Sequence, residues 1–126
     1  MLKLLLDEHV PPAVATELKR HIRSLEAHPL PQWRGGAFLG ESDERIVAEA
    51  AALGLTLVTY DVKTIPNVLY GRVRAGLSHG GAILVTSHQI RMGEVGDLVR
   101  ALESLFRRMG SLDWTNRVVF LRKEER

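Results

Sequence analysis

The chain of 126 residues contains no cysteine, and this absence excludes several kinds of chemistry at once. Without thiols there is no disulfide, no thiolate zinc site and no cysteine nucleophile. A protein without disulfides also suits a reducing compartment. Function is therefore expected among carboxylates, histidines and basic side chains.

Long apolar runs are also missing. No apolar stretch of the chain approaches the roughly 20 residues that a membrane-spanning helix needs. The N-terminal run of residues 2–6 reaches Asp7 too soon to form the apolar region of a signal peptide. These features predict a soluble, cytoplasmic protein with no membrane association.

A strong charge of either sign is absent as well. The net charge is +2, so no strong overall field draws nucleic acid to the protein. Arginine supplies most of the positive charge, and its planar guanidinium suits phosphate better than the ammonium of lysine. A gene of biased base composition explains the same arginine content equally well, and composition leaves both interpretations open.

The length is typical of one domain, and we expect a single domain over residues 1–126. Short apolar runs alternate with amphipathic stretches, followed by a solvated tail at 122–126. The runs predict strands at 2–6, 24–28, 55–60, 82–86 and 115–121, with a helix in each interval. This alternation predicts right-handed crossovers and a three-layer α/β/α fold whose mainly parallel central sheet has about five strands.

Three aspartates occur where such a sheet gathers its functional groups. Asp7 follows the first strand, Asp61 follows the third, and Asp43 begins the helix that leads into the third. Because functional crevices lie beyond the carboxyl ends of parallel strands, we expect these carboxylates to meet at one edge. Each also has an ordinary explanation, Asp43 as a helix cap and the other two as turn residues.

Carboxylates brought together repel one another unless a cation neutralises them or one takes up a proton. Mg²⁺ and Mn²⁺ prefer carboxylate oxygen and keep waters that can contact substrate phosphates. Such a site can polarise a phosphodiester and activate water. The three acids therefore indicate a metal-dependent hydrolase of phosphodiesters.

Three motifs surround these acids, namely Leu4-Leu5-Leu6-Asp7-Glu8-His9-Val10-Pro11-Pro12, Ser42-Asp43-Glu44-Arg45-Ile46 and Leu57-Val58-Thr59-Tyr60-Asp61. In this order and at these gaps they resemble the PIN-domain superfamily, and more closely its compact PIN-like branch of small bacterial and archaeal proteins. The first motif is fairly specific, whereas the other two carry weight only in sequence with it. The resemblance covers about the first half of the chain, and the second half agrees only in its order of strands and helices.

PIN domains are typically metal-dependent ribonucleases, and many are toxins held inactive by an antitoxin. The resemblance therefore implies an RNA substrate, Mg²⁺ or Mn²⁺ as cofactor, and an antitoxin or a second copy of the chain as partner. It implies catalytic, metal-binding roles for Asp7, Asp43 and Asp61. Three further residues are expected to support them: Glu8, Glu44 and Asn67.

The sequence departs from the branch just after Asp61. The branch usually carries a second aspartate and an aromatic residue where this chain has Lys63 and Thr64. A cation beside the metal site repels divalent ions. A PIN-like fold that binds RNA or protein with little or no cleavage is therefore kept as the alternative.

Four residues are predicted to contact RNA. Trp33 and Arg34 lie in the loop before Asp43, where an aromatic ring beside a guanidinium suits stacking on an unpaired base. His9 and Arg91 are candidates for phosphate contacts. The open alternatives are that Trp33 anchors its loop to the core or to a partner and that His9 is an ordinary loop residue.

A less favoured interpretation is a phosphoacceptor receiver domain. Asp7, Asp61 and Thr86 fit its acids and its hydroxyl residue, and Lys123 fits the lysine after the last strand. A receiver also ends in a helix, and only three residues follow Lys123. Other α/β functions are weaker, because no Gly-rich phosphate loop follows the first strand and no serine lies in a Gly-x-Ser-x-Gly elbow.

Overall fold

The computed structural model describes residues 1–124, in which five strands alternate with four α-helices. Their bounds are β1 Lys3–Leu6, α1 Pro12–His21, β2 Glu26–Pro29, α2 Asp43–Leu53, β3 Thr56–Thr59, α3 Ile65–Arg74, β4 Ala82–Leu84, α4 Val95–Met109 and β5 Val118–Phe120. A short 3-10 turn at Trp33–Gly36 lies between β2 and α2. The predicted order is confirmed, and residues 125–126 of the expected tail lie outside the described part.

The strands form one parallel sheet in the order β2-β1-β3-β4-β5. The order reverses at β1, because β2 lies on one side of it and the later strands lie on the other. In sheets of this kind a crevice opens beyond the carboxyl ends of the two strands at the reversal, here β1 and β3. The α/β class and the parallel five-stranded sheet are thus as predicted.

Two helical layers cover the two faces of this sheet. Alternate side chains of a strand point to opposite faces, so Leu4 and Leu6 pack with α1 and α4, whereas Leu5 packs with α2 and α3. Burial on both faces explains why three of the four residues of β1 are leucine and why all four residues of β3 are buried. No helix in residues 1–124 has the length and apolar character to cross a membrane.

The strand β5 is shorter than the sequence predicts and only partly covered. Residues 115–117 belong to a turn instead, in which Asn116 has a left-handed φ of 59° and the N–H of Arg117 donates to the carbonyl of Trp114. Val119 packs against the layer of α1 and α4. Val118 and Phe120 point to the opposite face of the sheet, where Val118 is 44% exposed and Phe120 is 61% exposed.

A buried histidine ties β4 to this turn at the end of the sheet opposite the crevice. His79 is only 4% exposed, and its Nδ1 accepts a hydrogen bond of 3.0 Å from the N–H of Gly81. The backbone N–H of His79 donates to the side-chain oxygen of Asn116 at 2.9 Å. The backbone N–H of Asn116 donates in return to the carbonyl of His79, also at 2.9 Å. Burial, and then the nearby charge of Arg72, lower the pKa of His79.

We expect His79 to make stability depend on pH below neutrality. Its folded-state pKa is lower than the ordinary 6.5, so below 6.5 the unfolded chain binds a proton that the folded protein does not. Stability should fall as pH drops from about 6.5 towards the lowered pKa, with a slope of at most ~1.4 kcal/mol per pH unit for this one proton. In His79→Asn, whose side-chain oxygen can still accept from Gly81, this part of the slope should vanish in urea unfolding curves recorded across the range. Equal slopes in both proteins would contradict the assignment.

Candidate functional site

A cleft of about 330 Å³ opens at the carboxyl ends of β1 and β3. It is lined by Asp7, Glu8, His9, Leu30, Gly40, Glu41, Asp43, Ile46, Tyr60, Asp61 and Met92. The fold thus brings the three predicted aspartates to one cleft, together with Glu8 and His9. They come from the end of β1, the start of α2 and the end of β3.

A threonine hydroxyl links the first and third of these aspartates. The N–H of Asp61 donates to Oγ1 of Thr59 at 2.9 Å, and that hydroxyl donates to Oδ2 of Asp7 at 2.6 Å. Thr59 is completely buried. A hydroxyl has a single proton, so accepting from Asp61 leaves it free to donate to Asp7. The position of the Asp7 carboxylate is therefore fixed by the strand that carries Asp61.

Both aspartates also organise the turns that follow their strands. Oδ1 of Asp7 accepts from the N–H of Glu8 at 2.8 Å. Oδ1 of Asp61 accepts from the N–H groups of Lys63 and Thr64, at 3.2 and 2.8 Å, just before α3 begins. Both aspartates thus act as turn residues, as the ordinary explanation expects. Both also line the cleft, and each carboxylate can accept further hydrogen bonds or bind a ligand through lone pairs that these bonds do not use.

Asp43 differs from the other two because it is not needed as a cap. Ser42 is the N-cap of α2, and its side chain accepts from the N–H of Arg45 at 3.3 Å. No hydrogen bond within residues 1–124 holds the Asp43 carboxylate. Burial raises its pKa, and the charges of four acids raise it further, in the order Asp61, Asp7, Glu44 and Glu8.

The charges of Asp61 and Asp7 add to the effect of burial in raising the pKa of Asp43, which places three like charges close together. The ion pairs of the described chain use other carboxylates, namely Glu17, Glu26, Glu41, Glu49, Asp97 and Glu103. Of these only Glu41 lines the cleft, where it pairs with Arg45 at 3.4 Å. The remaining acids thus present a site whose electrostatics favour a cation.

The same carboxylates do not converge on one point. Within residues 1–124, no three or more His, Asp or Glu side chains form a group that could hold a metal ion. Their chemistry suits a hard cation, since all the candidate donors are carboxylate oxygens. Because Asp7 and Asp61 are held by hydrogen bonds and Asp43 is not, Asp43 is the side chain that would have to turn towards them to share an ion.

The other residues predicted around the acids are spread more widely. Glu44 is exposed and lies outside the cleft lining, although its charge acts on Asp43. Asn67 is also outside, and its side-chain N–H donates to the carbonyl of Lys63 at 3.4 Å. Lys63 itself is exposed and does not line the cleft. Of the three supporting residues, only Glu8 therefore faces the site.

Trp33 is buried in the core, in agreement with the alternative that it anchors its loop. Trp33 is 5% exposed, packs in the layer of α2 and α3, and lies 5.0 Å from the ring of Phe38 between centroids. Its ring would have to leave the core to meet a base. Arg34 pairs with Glu49 of α2 at 3.2 Å and does not line the cleft.

The loop between β4 and α4 forms one wall of the cleft. The hydroxyl of Tyr60 donates to the carbonyls of Ile90 and Arg91, at 3.0 and 3.3 Å. Burial raises the pKa of Tyr60 to about 12, so the hydroxyl keeps its proton near neutral pH. Met92 of this loop lines the acidic cleft, whereas Arg91 lines a neighbouring polar cleft with His88 and Lys123.

Three residues of the site, Thr59, Tyr60 and Met92, were not predicted from the sequence. A signal for the first two was present, since both lie in the motif that ends at Asp61 and precede that acid directly. Strand alternation places Thr59 and Asp61 on one side and Tyr60 on the other. Nothing in the local sequence around Met92 indicates that its loop returns to β3.

The residues that a receiver domain needs are not brought together. Thr86 accepts a hydrogen bond from the N–H of Gln89 at 3.3 Å, and it does not line the acidic cleft. The ammonium of Lys123 lies 3.8 Å from Asp97 and lines the neighbouring cleft. The structure therefore offers no support for a phosphoacceptor site at Asp61.

Comparison with known proteins adds no relative. No family model, curated protein or solved structure matches the chain. What the site can do is therefore argued from its own chemistry. That chemistry is an anionic cleft able to attract a cation, with the exposed His9 at its edge.

We expect Thr59→Val to destabilise the protein by about 1–3 kcal/mol, because it leaves the N–H of Asp61 without its acceptor and removes a hydrogen bond to a carboxylate. Valine keeps the shape of the side chain, so the loss reports on the hydroxyl. Urea unfolding followed by circular dichroism measures the change. Thr16→Val on the exposed side of α1 is the matched control and should change stability little. A Thr59 variant as stable as that control would show that the link between Asp7 and Asp61 contributes nothing.

A second prediction concerns the charge of Asp43. Its folded-state pKa is raised above 3.8, so the folded protein holds this proton more tightly than the unfolded chain does. The stability contribution of Asp43 therefore falls as pH rises through that range and stays low above it. Asp43→Asn should gain stability relative to wild type between about pH 3.5 and pH 7, by at most ~1 kcal/mol because solvent screens a partly exposed group.

Glu44→Gln is the control for this comparison. Glu44 lies in the same first turn of α2, near the same helix N-terminus, but it is outside the cleft. Urea unfolding at low and high salt measures both variants. If the two substitutions gave the same dependence on pH, the effect would come from the helix terminus and not from the anionic cleft.

Proposed function

We propose that this protein is a Mg²⁺- or Mn²⁺-dependent RNA endonuclease of toxin type that hydrolyses phosphodiesters at the cleft of Asp7, Asp43 and Asp61. The observation that carries the proposal is the unneutralised negative charge of three aspartates at the point where the strand order reverses. The restriction to RNA, and an antitoxin as partner, depend on the resemblance of the motifs to PIN-like proteins.

The location supports a catalytic role because a folded chain gains no stability from collecting like charges. Asp43 experiences repulsion from Asp61 and Asp7, and no ion pair within residues 1–124 relieves it. Arrangements that cost stability in this way are frequent at functional sites. The cleft is also open to solvent beside His9 and Met92, both of which are exposed.

The residues divide the proposed work between them. Asp7 and Asp61 provide oxygen atoms held in place through Thr59 and through the turn before α3. No hydrogen bond within residues 1–124 restrains the Asp43 carboxylate, so one of its oxygens could share the ion while the other accepts the proton of an attacking water. The water oxygen forms a bond to phosphorus while the bond to the leaving oxygen breaks, and His9 at the edge of the cleft is placed to protonate that oxygen.

The cofactor has a defined place in this proposal. A Mg²⁺ or Mn²⁺ ion held by Asp7, Asp43 and Asp61 would polarise the scissile phosphate and lower the pKa of the attacking water. Lys63 stands where the PIN-like branch usually carries a second aspartate. Its side chain is exposed and does not line the cleft. Its charge is therefore more strongly screened than that of a lysine within the site.

One observation favours a second candidate function, a PIN-like module that binds RNA or protein without cleaving it. Asp7, Asp43 and Asp61 line one cleft, but within residues 1–124 no acidic side chains form a metal-binding group. A fold of this kind can bind RNA or protein at the exposed rim of its cleft. It would lack the converged metal-coordinating side chains that catalysis needs. The two functions differ in whether RNA is cleaved when a divalent ion is supplied.

Titration of Mn²⁺ into wild type and Asp61→Asn tests the proposal. Asparagine keeps an oxygen that can accept from Lys63 and Thr64, so the turn is preserved while the charge is removed. We expect wild type to bind Mn²⁺, Asp61→Asn to bind at least about tenfold more weakly, and cleavage of an unstructured fluorescent RNA to fall to background in the variant. Calorimetry measures binding, and gel electrophoresis measures cleavage with and without EDTA.

Asp113→Asn is the matched control, because Asp113 is an exposed aspartate that precedes β5 at the other end of the sheet. It should behave as wild type in both assays. Wild type that binds no Mn²⁺ at millimolar concentration would overturn the nuclease proposal. RNA binding without cleavage at saturating Mn²⁺ would support the binding module instead.

A further inference from the structure

The strand β5 is the last strand of the sheet and has a neighbour on one side only. Its pairing with β4 places Val118 beside Ala82, Val119 beside Ile83 and Phe120 beside Leu84. Within residues 1–124 no other strand lies along its outer edge. An open edge of this kind presents backbone donors and acceptors that another extended chain can use.

The hydrogen bonds to β4 identify which residues form the open edge. The N–H of Ala82 donates to the carbonyl of Arg117 at 2.9 Å, and the N–H of Leu121 donates to the carbonyl of Leu84 at 2.8 Å. Backbone groups of a strand alternate in direction from residue to residue. The backbone groups of Val119 therefore also face β4, and those of Val118 and Phe120 face outwards.

The same two residues expose their side chains. Val118 and Phe120 lie on the same face of the sheet as Ala82 and Leu84. The helices α2 and α3 cover this face at β1, β3 and β4, but they leave it exposed at β5. An added strand would pair with the free backbone groups and place its own alternate side chains beside Val118 and Phe120. Addition of an extended peptide to an exposed sheet edge is a recurring mode of peptide recognition, in which backbone hydrogen bonds give affinity and side-chain contacts give specificity.

The charges around the edge distinguish between two kinds of added strand. Arg117 precedes β5, and its guanidinium lies over the ring of Trp114, 5.9 Å from the ring centroid. Arg122 follows β5 and is exposed. In a second copy paired antiparallel about Val119, Arg117 would lie opposite Leu121 of the other copy, next to its Arg122. This pairing brings like charges together, whereas a strand with acids at both ends complements them.

We propose that the outer edge of β5 binds an extended acidic peptide segment of a partner protein, which adds to the sheet as a sixth strand. Backbone hydrogen bonds to Val118 and Phe120 hold the segment in register. Its apolar side chains cover those two residues, and its acidic ends meet Arg117 and Arg122. The inference is independent of the chemistry at the cleft, because it concerns the lateral edge of the sheet and none of its residues lines that cleft.

Proline at position 120 gives a selective test. The N–H of Phe120 faces outwards, so Phe120→Pro removes a donor that only an added strand would use and leaves the bonds to β4 in place. Arg122→Glu reverses the charge at one end without altering the edge. Circular dichroism and urea unfolding establish that each variant is folded.

The probe is a fluorescein-labelled peptide of sequence Glu-Glu-Val-Thr-Val-Glu-Glu, compared by fluorescence anisotropy with the peptide in which lysine replaces every glutamate. We expect wild type to bind the acidic peptide and to bind the basic one at least about tenfold more weakly. Phe120→Pro should weaken binding of the acidic peptide at least about tenfold, and so should Arg122→Glu. Raising the salt concentration should weaken it as well.

Equal binding of both peptides, or binding unaffected by Arg122→Glu, would overturn the proposal. So would light scattering that shows a dimer of wild type and a monomer of Phe120→Pro, since the occupant would then be a second copy. If Phe120→Pro does not fold, nuclear magnetic resonance on wild type replaces it. The proposal then requires the amides of Val118 and Phe120 to shift on adding the acidic peptide, and unshifted amides would refute it.

Discussion

The parallel pairing of β1 with β3 is the interaction on which the site depends. It places Leu6 beside Val58, and it continues past the strand ends because the N–H of Asp7 donates to the carbonyl of Val58 at 2.9 Å. Both strands therefore end at the same level. Thr59 then links the side chain of Asp7 to the backbone of Asp61. The pairing of the two strands therefore sets the distance between the two acids. A shift of one residue in this pairing would turn the side chains of one strand to the opposite face and separate the acids.

Stability and charge act against each other in this cleft. The apolar layers on both faces of the sheet hold the strand ends together, while the carboxylates at those ends repel one another. The protein limits this cost in part by hydrogen-bonding Asp7 and Asp61, which distributes their charge onto backbone N–H groups and a hydroxyl. Asp43 receives no such compensation. Its pKa is accordingly raised by burial and by the neighbouring acids.

The sequence allowed the order of elements, the parallel sheet and the common edge of the three aspartates to be predicted, because these follow from hydrophobic pattern and crossover topology. It did not allow the ends of β5 to be placed, since the turn at Asn116 depends on its contacts with His79 across the molecule. The position of Trp33 was not decidable either. An aromatic residue next to arginine in a loop looks the same in sequence whether the ring is buried or exposed, and only the packing against Phe38 distinguishes the two.

The burial of Trp33 has a practical consequence for observing this molecule. The chain has two tryptophans, and they lie near opposite ends of the sheet. Trp33 packs in the same core layer as Leu30, a residue of the cleft lining, whereas Trp114 precedes β5 and donates its indole N–H to the carbonyl of Met109 at 3.0 Å. Light emitted by one ring therefore carries information from beneath the anionic cleft, while the other reports from the far end. Because two indoles emit in the same range, each signal is read separately in a variant that lacks the other ring, without any added dye.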